Sequence, residues 1–152
     1  MMNMLNKPQL VSLATFGSFA LLAGAFIFQS MGYAPCQMCL WQRYPHAVAL
    51  VIGILALVLT RLQTPLALLG ALAALTTAYY GIYHTGVERG WWEGPASCTG
   101  NGLDSENLLS LDIAPIVMCD DVVWSLFGLS MASYNALISL VLVGIWIAAA
   151  RR

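Results

Sequence analysis

Charged side chains are scarce in this sequence, and its longest apolar runs have none. Asp, Glu, Lys and Arg make up 9% of the residues and hydrophobic residues 60%, against about 25% charged in an average soluble domain. That shortage excludes a soluble fold and points to a membrane protein. Histidine is also rare, with only His46 and His84. A structural zinc site needs four Cys or His ligands, usually from two paired knuckles, and neither histidine stands in ligand spacing with a cysteine. No metal is therefore expected. A nucleotide-binding motif, an internal repeat, a low-complexity tract and a domain linker are likewise missing, and nucleic acid is not expected as a partner.

What is present is a set of long apolar runs. A bilayer span needs about 20 mostly apolar residues. Leu10 to Gln29, Tyr44 to Thr60, Pro65 to His84 and Ser133 to Ala150 qualify, and none contains Asp, Glu, Lys or Arg. The expected fold is an all-α membrane protein, a four-transmembrane-helix bundle forming a single integral membrane domain over 1–152, with no room for a separate soluble domain. Lys7 before the first run would suit a signal peptide. The run exceeds the ~7 to 15 residues of a signal core, and three more spans follow it.

Lys7, Arg61, Arg151 and Arg152 fall in the termini and the short second connection, with no acid beside them. The positive-inside rule assigns those segments to the cytoplasm. All seven carboxylates, Glu88, Glu93, Asp104, Glu106, Asp112, Asp120 and Asp121, fall in the third connection. Loops of about 30–43 and 85–132 then face the opposite side, the periplasm of a bacterial inner membrane. Arg43 and Arg89 are the exceptions to this segregation.

Pro35 suits the first turn of a helix, and Pro45 would interrupt one. Either a short turn carrying the cysteines kinks into the second span, or the span starts at Pro45. Arg61 to Thr64 reads as a tight hairpin. Tyr79, Tyr80, Tyr83, Trp91 and Trp92 read mainly as interfacial anchors, and His46 as an interfacial residue. In the last loop, GPASCTGNG is rich in turn formers and expected to be mobile. DSENLLSLDIAPIVM, from Asp104 to Met118, alternates acids with apolar residues and fits a short amphipathic helix interrupted by Pro115.

Four cysteines, Cys36, Cys39, Cys98 and Cys119, all lie on the expected outer side, where disulfides persist. A bridge between Cys98 and Cys119 would suit an ordinary staple worth roughly 3 kcal/mol. A bridge within PCQMC closes so short a loop that it gains little entropy, and redox exchange explains that spacing better. A helix start and a nearby cation favour a thiolate. Arg43 follows Cys39 by four residues, on the same helical face, and is a candidate counter-charge for Cys39. Two pairs at one membrane surface suggest a relay. With no metal site or nucleotide motif, a lipid-soluble quinone is the available acceptor.

PCQMCLWQR (Pro35 to Arg43), the YHTG stretch (Tyr83 to Gly86), the Cys98 to Cys119 pair and CDDVVWSLFGLSM (Cys119 to Met131) together resemble the DsbB family of disulfide bond formation proteins, over essentially the whole chain. The resemblance implies a four-helix inner-membrane enzyme. Such an enzyme reoxidises the periplasmic thiol oxidase DsbA and passes electrons to a quinone, ubiquinone or menaquinone. It implies that Cys98 takes the mixed disulfide with the partner and that Cys119 is released and attacks Cys36. Cys39 is then left facing the quinone. Arg43 and His84 match quinone-site positions. An acid often stands before the arginine in such proteins, whereas this chain has Gln42.

Two other readings stay open at this level. One is a family member dedicated to a single client, and the other is a non-enzymatic four-helix scaffold with structural disulfides. Vitamin K epoxide reductase-like proteins share the four-helix logic, but their CxxC is expected near the last span.

Overall fold

The computed structural model describes residues 5–99 and 117–152. Four helices carry the fold: α1 (Lys7–Ser30), α2 (Gln37–Val58), α3 (Gln63–Glu88) and α4 (Met131–Ala150), with a 3₁₀ turn at Thr60–Leu62 between α2 and α3. All four are long and apolar enough to cross a membrane; α1 and α3 run past the limits set by hydropathy at both ends, α2 and α4 start earlier, and α2 stops at Val58, short of the expected Thr60. The expected amphipathic helix over Asp104 to Met118 lies almost wholly outside the described residues.

Local chemistry sets the helix ends. Asn6 caps α1 by accepting from Gln9 N–H at 3.0 Å, and Gln9 Oε1 accepts from Asn6 N–H at 2.9 Å, the reciprocal capping box. The second helix starts with the sulfur of Cys36, which accepts from Cys39 N–H at 3.2 Å. Pro35 therefore precedes the cap rather than opening the helix. Pro45 lies inside α2 without ending it. Pro45 has no N–H to give the Trp41 carbonyl four residues earlier, and beside that gap Thr77 Oγ1 of α3 donates to the Gln42 carbonyl at 3.1 Å, tying α2 to α3.

The helices form a ring in which α1 packs on α2, α2 on α3, α3 on α4 and α4 back on α1. Hydrophobicity cannot drive this packing against equally apolar lipid, so small residues that let backbones approach are favoured at the contacts. Ala67, Ala71, Ala74 and Ala78 of α3 and Ala132 and Ala136 of α4 are buried accordingly. Phe16, Val48, Leu72 and Val141 face outward, as lipid contact requires. The fully buried Trp146 lies against the backbone of Gly70, where an added Cβ would come within 2.7 Å of its ring.

At the end that carries the cysteines, Ser125–Leu126 and Leu129–Ser130 form a small antiparallel pair, β1 and β2. Its two-residue tip, Phe127 and Gly128, has φ of 50° and 76°. Positive φ at both positions is the twist that tight hairpins favour, and glycine takes it at no steric cost. This hairpin is an element that hydropathy and turn chemistry did not indicate. At the opposite end, Lys7 Nζ donates to Thr64 Oγ1 at 2.8 Å, joining the start of α1 to the start of α3.

Overpacking a tight contact typically costs about 1–3 kcal/mol. Gly70→Val should lower the unfolding free energy in mixed micelles by about 1–3 kcal/mol. Gly144→Val, where an added Cβ meets nothing within 4 Å, should leave it unchanged. Equal effects of the two would contradict the α3–α4 packing described here.

Candidate functional site

The sequence-nominated residues Cys36, Cys39, Cys98, Cys119, Arg43 and His84 all come to one end of the bundle. Cys98 and Cys119 are disulfide-bonded, with Cα atoms 5.3 Å apart, and Cys119 N–H donates to the Cys98 carbonyl at 2.7 Å. The Pro95 carbonyl accepts from the N–H groups of Cys98 and Thr99, both at 3.0 Å, so the turn before the disulfide is closed by its own backbone. Cys98 and Cys119 are 3% and 0% exposed. The disulfide is thus packed into the protein instead of standing out on a loop, because Met38 and Val87 form one buried cluster with Cys36, Cys98 and Cys119.

Cys36 and Cys39 are free thiols. Their sulfurs are 2.8 Å apart, with Cys36 donating. That hydrogen bond to Cys39, followed by burial, holds the Cys36 thiol well above the usual thiol range, so Cys36 keeps its proton. Both cysteine pairs therefore share one small apolar volume, one oxidised and one reduced.

His84, on α3, is buried beside them. Its Nε2 is 3.7 Å from Cys36 Sγ and 3.8 Å from Glu88 Oε1, and the Cys119 backbone lies against the ring. Its Nδ1 is 2.9 Å from Gln42 Nε2. Sequence spacing puts no histidine near the cysteines, yet the contact of α2 with α3 brings Cys36, Cys39 and His84 within 4.8 Å of one another. A metal would need the unprotonated lone pair of Nε2. Gln42 donates to Nδ1, so in the neutral ring the proton belongs on Nε2, an arrangement that opposes metal ligation.

Arg43 does not reach the Cys39 sulfur directly. Its guanidinium donates to Gln29 Oε1 at 2.5 Å and to the Ala25 carbonyl at 3.1 Å, and it lies 5.0 Å from the centroid of the Phe26 ring. Its charge acts on Cys39 through space, as does that of Glu88. Arg43 thus ties α2 to α1 and presents its charge beside the thiols.

Three residues that sequence reasoning set aside belong to this site. Glu88 was counted among the outer-loop acids, but α3 continues to it and its carboxylate turns inward to accept from Ser130 Oγ. Its place four residues after His84, on the same helical face, was a usable signal. His46 was read as interfacial. It is 2% exposed, and its Nε2 is 2.8 Å from Asn135 Oδ1 of α4. Asn135 itself was not singled out, although an amide inside an apolar span is a marker for an interhelical bond.

A cavity of about 360 Å³ opens beside the thiols, bounded by Leu21, Ala25 and Phe28 of α1 and by Cys39, Arg43 and His84. Small-molecule sites are of this kind, mostly apolar with a few convergent polar groups.

The sequence profile described as "Disulfide bond formation protein DsbB" matches residues 7–149. This chain belongs to the DsbB family. A protein of Rickettsia prowazekii (strain Madrid E), "Uncharacterized protein RP370", is 27% identical over 117 residues, covering 73% of this chain and 68% of that protein. No solved structure matches. DsbB membership and four spanning helices make this a multi-pass membrane protein of disulfide bond formation, with thiol oxidoreductase activity of the general kind.

Limited maleimide treatment of the dithiol form should modify Cys39 first, because Cys36 is buried and keeps its proton. The lag at Cys36 should persist above pH 9, and peptide mapping checks it. Faster capture of Cys36 would contradict the geometry.

Proposed function

We propose that this DsbB-family chain is a quinone-coupled thiol oxidase that reoxidises a DsbA-like periplasmic dithiol partner. The observation that carries the reading is the packing of both cysteine pairs in one buried cluster beside a cavity lined by Cys39, Arg43 and His84. The cavity's lining fits a flat ring with carbonyl acceptors: apolar walls from α1 and guanidinium N–H donors on Arg43, with His84 lining the same cavity. A quinone, when bound, supplies a two-electron, two-proton acceptor; whether it is ubiquinone or menaquinone is a matter for extraction and mass spectrometry.

The chain's own cysteines carry out the exchange, starting with both pairs oxidised. A partner thiolate attacks Cys98 Sγ, the Cys98–Cys119 bond breaks, and Cys119 leaves as a thiolate. Cys119 then attacks Cys36 in the Cys36–Cys39 disulfide, and Cys39 leaves as a thiolate beside the cavity. The second partner thiol closes the partner's own disulfide and frees Cys98. Cys98 next attacks Cys119 in its bond to Cys36, restoring Cys98–Cys119 and releasing Cys36. Two electrons have then passed from the partner to Cys36 and Cys39.

Burial of Cys98 in the cluster with Met38 and Val87 means that the disulfide must be exposed locally before a partner thiolate can reach it. A bacterial inner-membrane location is proposed with both termini cytoplasmic and the cysteines periplasmic. The Lys7–Thr64 bond supports this, since it gathers Lys7 and the turn carrying Arg61 at the end away from the cysteines.

Cys119→Ser should trap a partner on Cys98 as a mixed disulfide that survives denaturing non-reducing electrophoresis. Failure to trap any periplasmic dithiol protein would contradict the relay. Capture of a single dedicated oxidoreductase, and never a DsbA-like one, would replace the general client by a specific one. Arg43→Leu should raise KM for quinone about tenfold, the worth of a charged hydrogen bond, with the thiol titre unchanged.

A further inference from the structure

The polar side chains between α2, α3 and α4 form one continuous chain. His46 Nε2 meets Asn135 Oδ1 at 2.8 Å. Asn135 Nδ2 donates to Gln42 Oε1 at 2.7 Å and to Thr77 Oγ1 at 3.2 Å. Gln42 Nε2 meets His84 Nδ1 at 2.9 Å and donates to the Met38 carbonyl at 3.2 Å. His84 Nε2 faces Cys36 Sγ at 3.7 Å.

The direction of donation along this chain is overdetermined. Thr77 spends its only proton on the Gln42 carbonyl, so its oxygen must accept from Asn135, which fixes the Asn135 amino group on that side. The Asn135 oxygen then takes the His46 proton, which leaves His46 Nδ1 as a bare acceptor, consistent with its having no partner among the described residues. Carbonyl Met38 can only accept, so the Gln42 amino group lies at the His84 end. Gln42 therefore donates to His84 Nδ1, and the neutral ring carries its proton on Nε2, the nitrogen that faces Cys36.

We propose that Gln42, backed by Asn135, is a positioning residue that locks His84 as a neutral imidazole protonated on Nε2, making His84 a hydrogen-bond donor to the Cys36 sulfur rather than a base. This deepens the thiol-oxidase reading and rests on it for its functional meaning. A donor at Cys36 stabilises negative charge on that sulfur when Cys98 displaces it from Cys119, and it aims the sulfur at its attacker. The same N–H has two further neighbours: the Cys119 backbone, which lies against the ring, and Glu88 Oε1 at 3.8 Å, whose other oxygen accepts from Ser130 Oγ.

The chemistry of position 42 supplies the test. A carboxylate has no donor, so the isosteric Gln42→Glu could face His84 only as an acceptor. Nitrogen-15 NMR of histidine-labelled protein in nanodiscs at pH 8 should show wild-type His84 protonated on Nε2 and bare at Nδ1. Gln42→Glu should move the proton to Nδ1. With Cys39→Ser in both backgrounds, Cys36 should react about tenfold more slowly with an aromatic disulfide after Gln42→Glu. A wild-type proton on Nδ1, or a proton that stays on Nε2 after Gln42→Glu, would overturn the lock. A reversed proton with an unchanged Cys36 rate would overturn the role at sulfur. The wild-type spectrum alone decides the first point if the variant fails to fold, and neither spectrum depends on quinone or a partner, so failure of the oxidase reading would be seen separately.

Discussion

Polar groups inside an apolar bundle must satisfy one another, and the cysteine end of this protein is organised by that constraint. Water is not at hand in a membrane interior, and each unsatisfied polar group there costs several kcal/mol. His46, Gln42, Thr77, Asn135 and His84 meet the requirement with five bonds that join α2, α3 and α4. Interhelical hydrogen bonds in membranes average about 0.6 kcal/mol, so the set contributes about 3 kcal/mol in all. That is too little to hold the bundle together, which is the task of the close-packed Ala faces and Trp146. What this network supplies, with His46 Nδ1 its one bare atom among the described residues, is uniqueness of arrangement: one rotation of α2, and hence one position for Cys36 beside His84.

The sulfur chemistry depends on that placement. Cys36 caps α2 with its own sulfur, so the start of the helix and the reactive atom share one location. The hydrogen bond to Cys39, followed by burial, keeps the Cys36 thiol protonated, while Cys39, three residues on, faces the cavity with Arg43 on the adjoining turn. The Cys98–Cys119 disulfide completes the same cluster. Family membership in DsbB gives these contacts a thiol-exchange context, and the geometry explains how a relay can work without long side-chain excursions between its two pairs.

Much of this was legible in the sequence. Four charge-free runs gave the four helices, and PCQMCLWQR with Cys98 and Cys119 gave the cysteines that cluster at one end of the bundle, because hydropathy and cysteine spacing are local signals. The remainder depended on tertiary contact. Whether Pro45 ends a helix turns on how α2 packs against α3, which no local signal records. His46 looked interfacial because its partner Asn135 is on another span, 89 residues away. Glu88 looked like a loop acid because the helix end had been set by hydropathy, and a buried carboxylate paired with Ser130 does not register there. The burial of Cys98 was hidden for the same reason: turn-rich composition describes a segment, not what it packs against.

The central claim is that electrons cross from one cysteine pair to the other and leave at the cavity. Its most direct measurement is a single turnover in nanodiscs: fully oxidised protein with bound quinone, mixed with a reduced DsbA-like dithiol, with quinone absorbance and partner disulfide followed together. The account predicts one quinone reduced per partner disulfide formed, with quinone reduction lost in Cys36→Ser and in Cys39→Ser. Full quinone reduction in both variants, or partner oxidation without any quinone reduced, would contradict it.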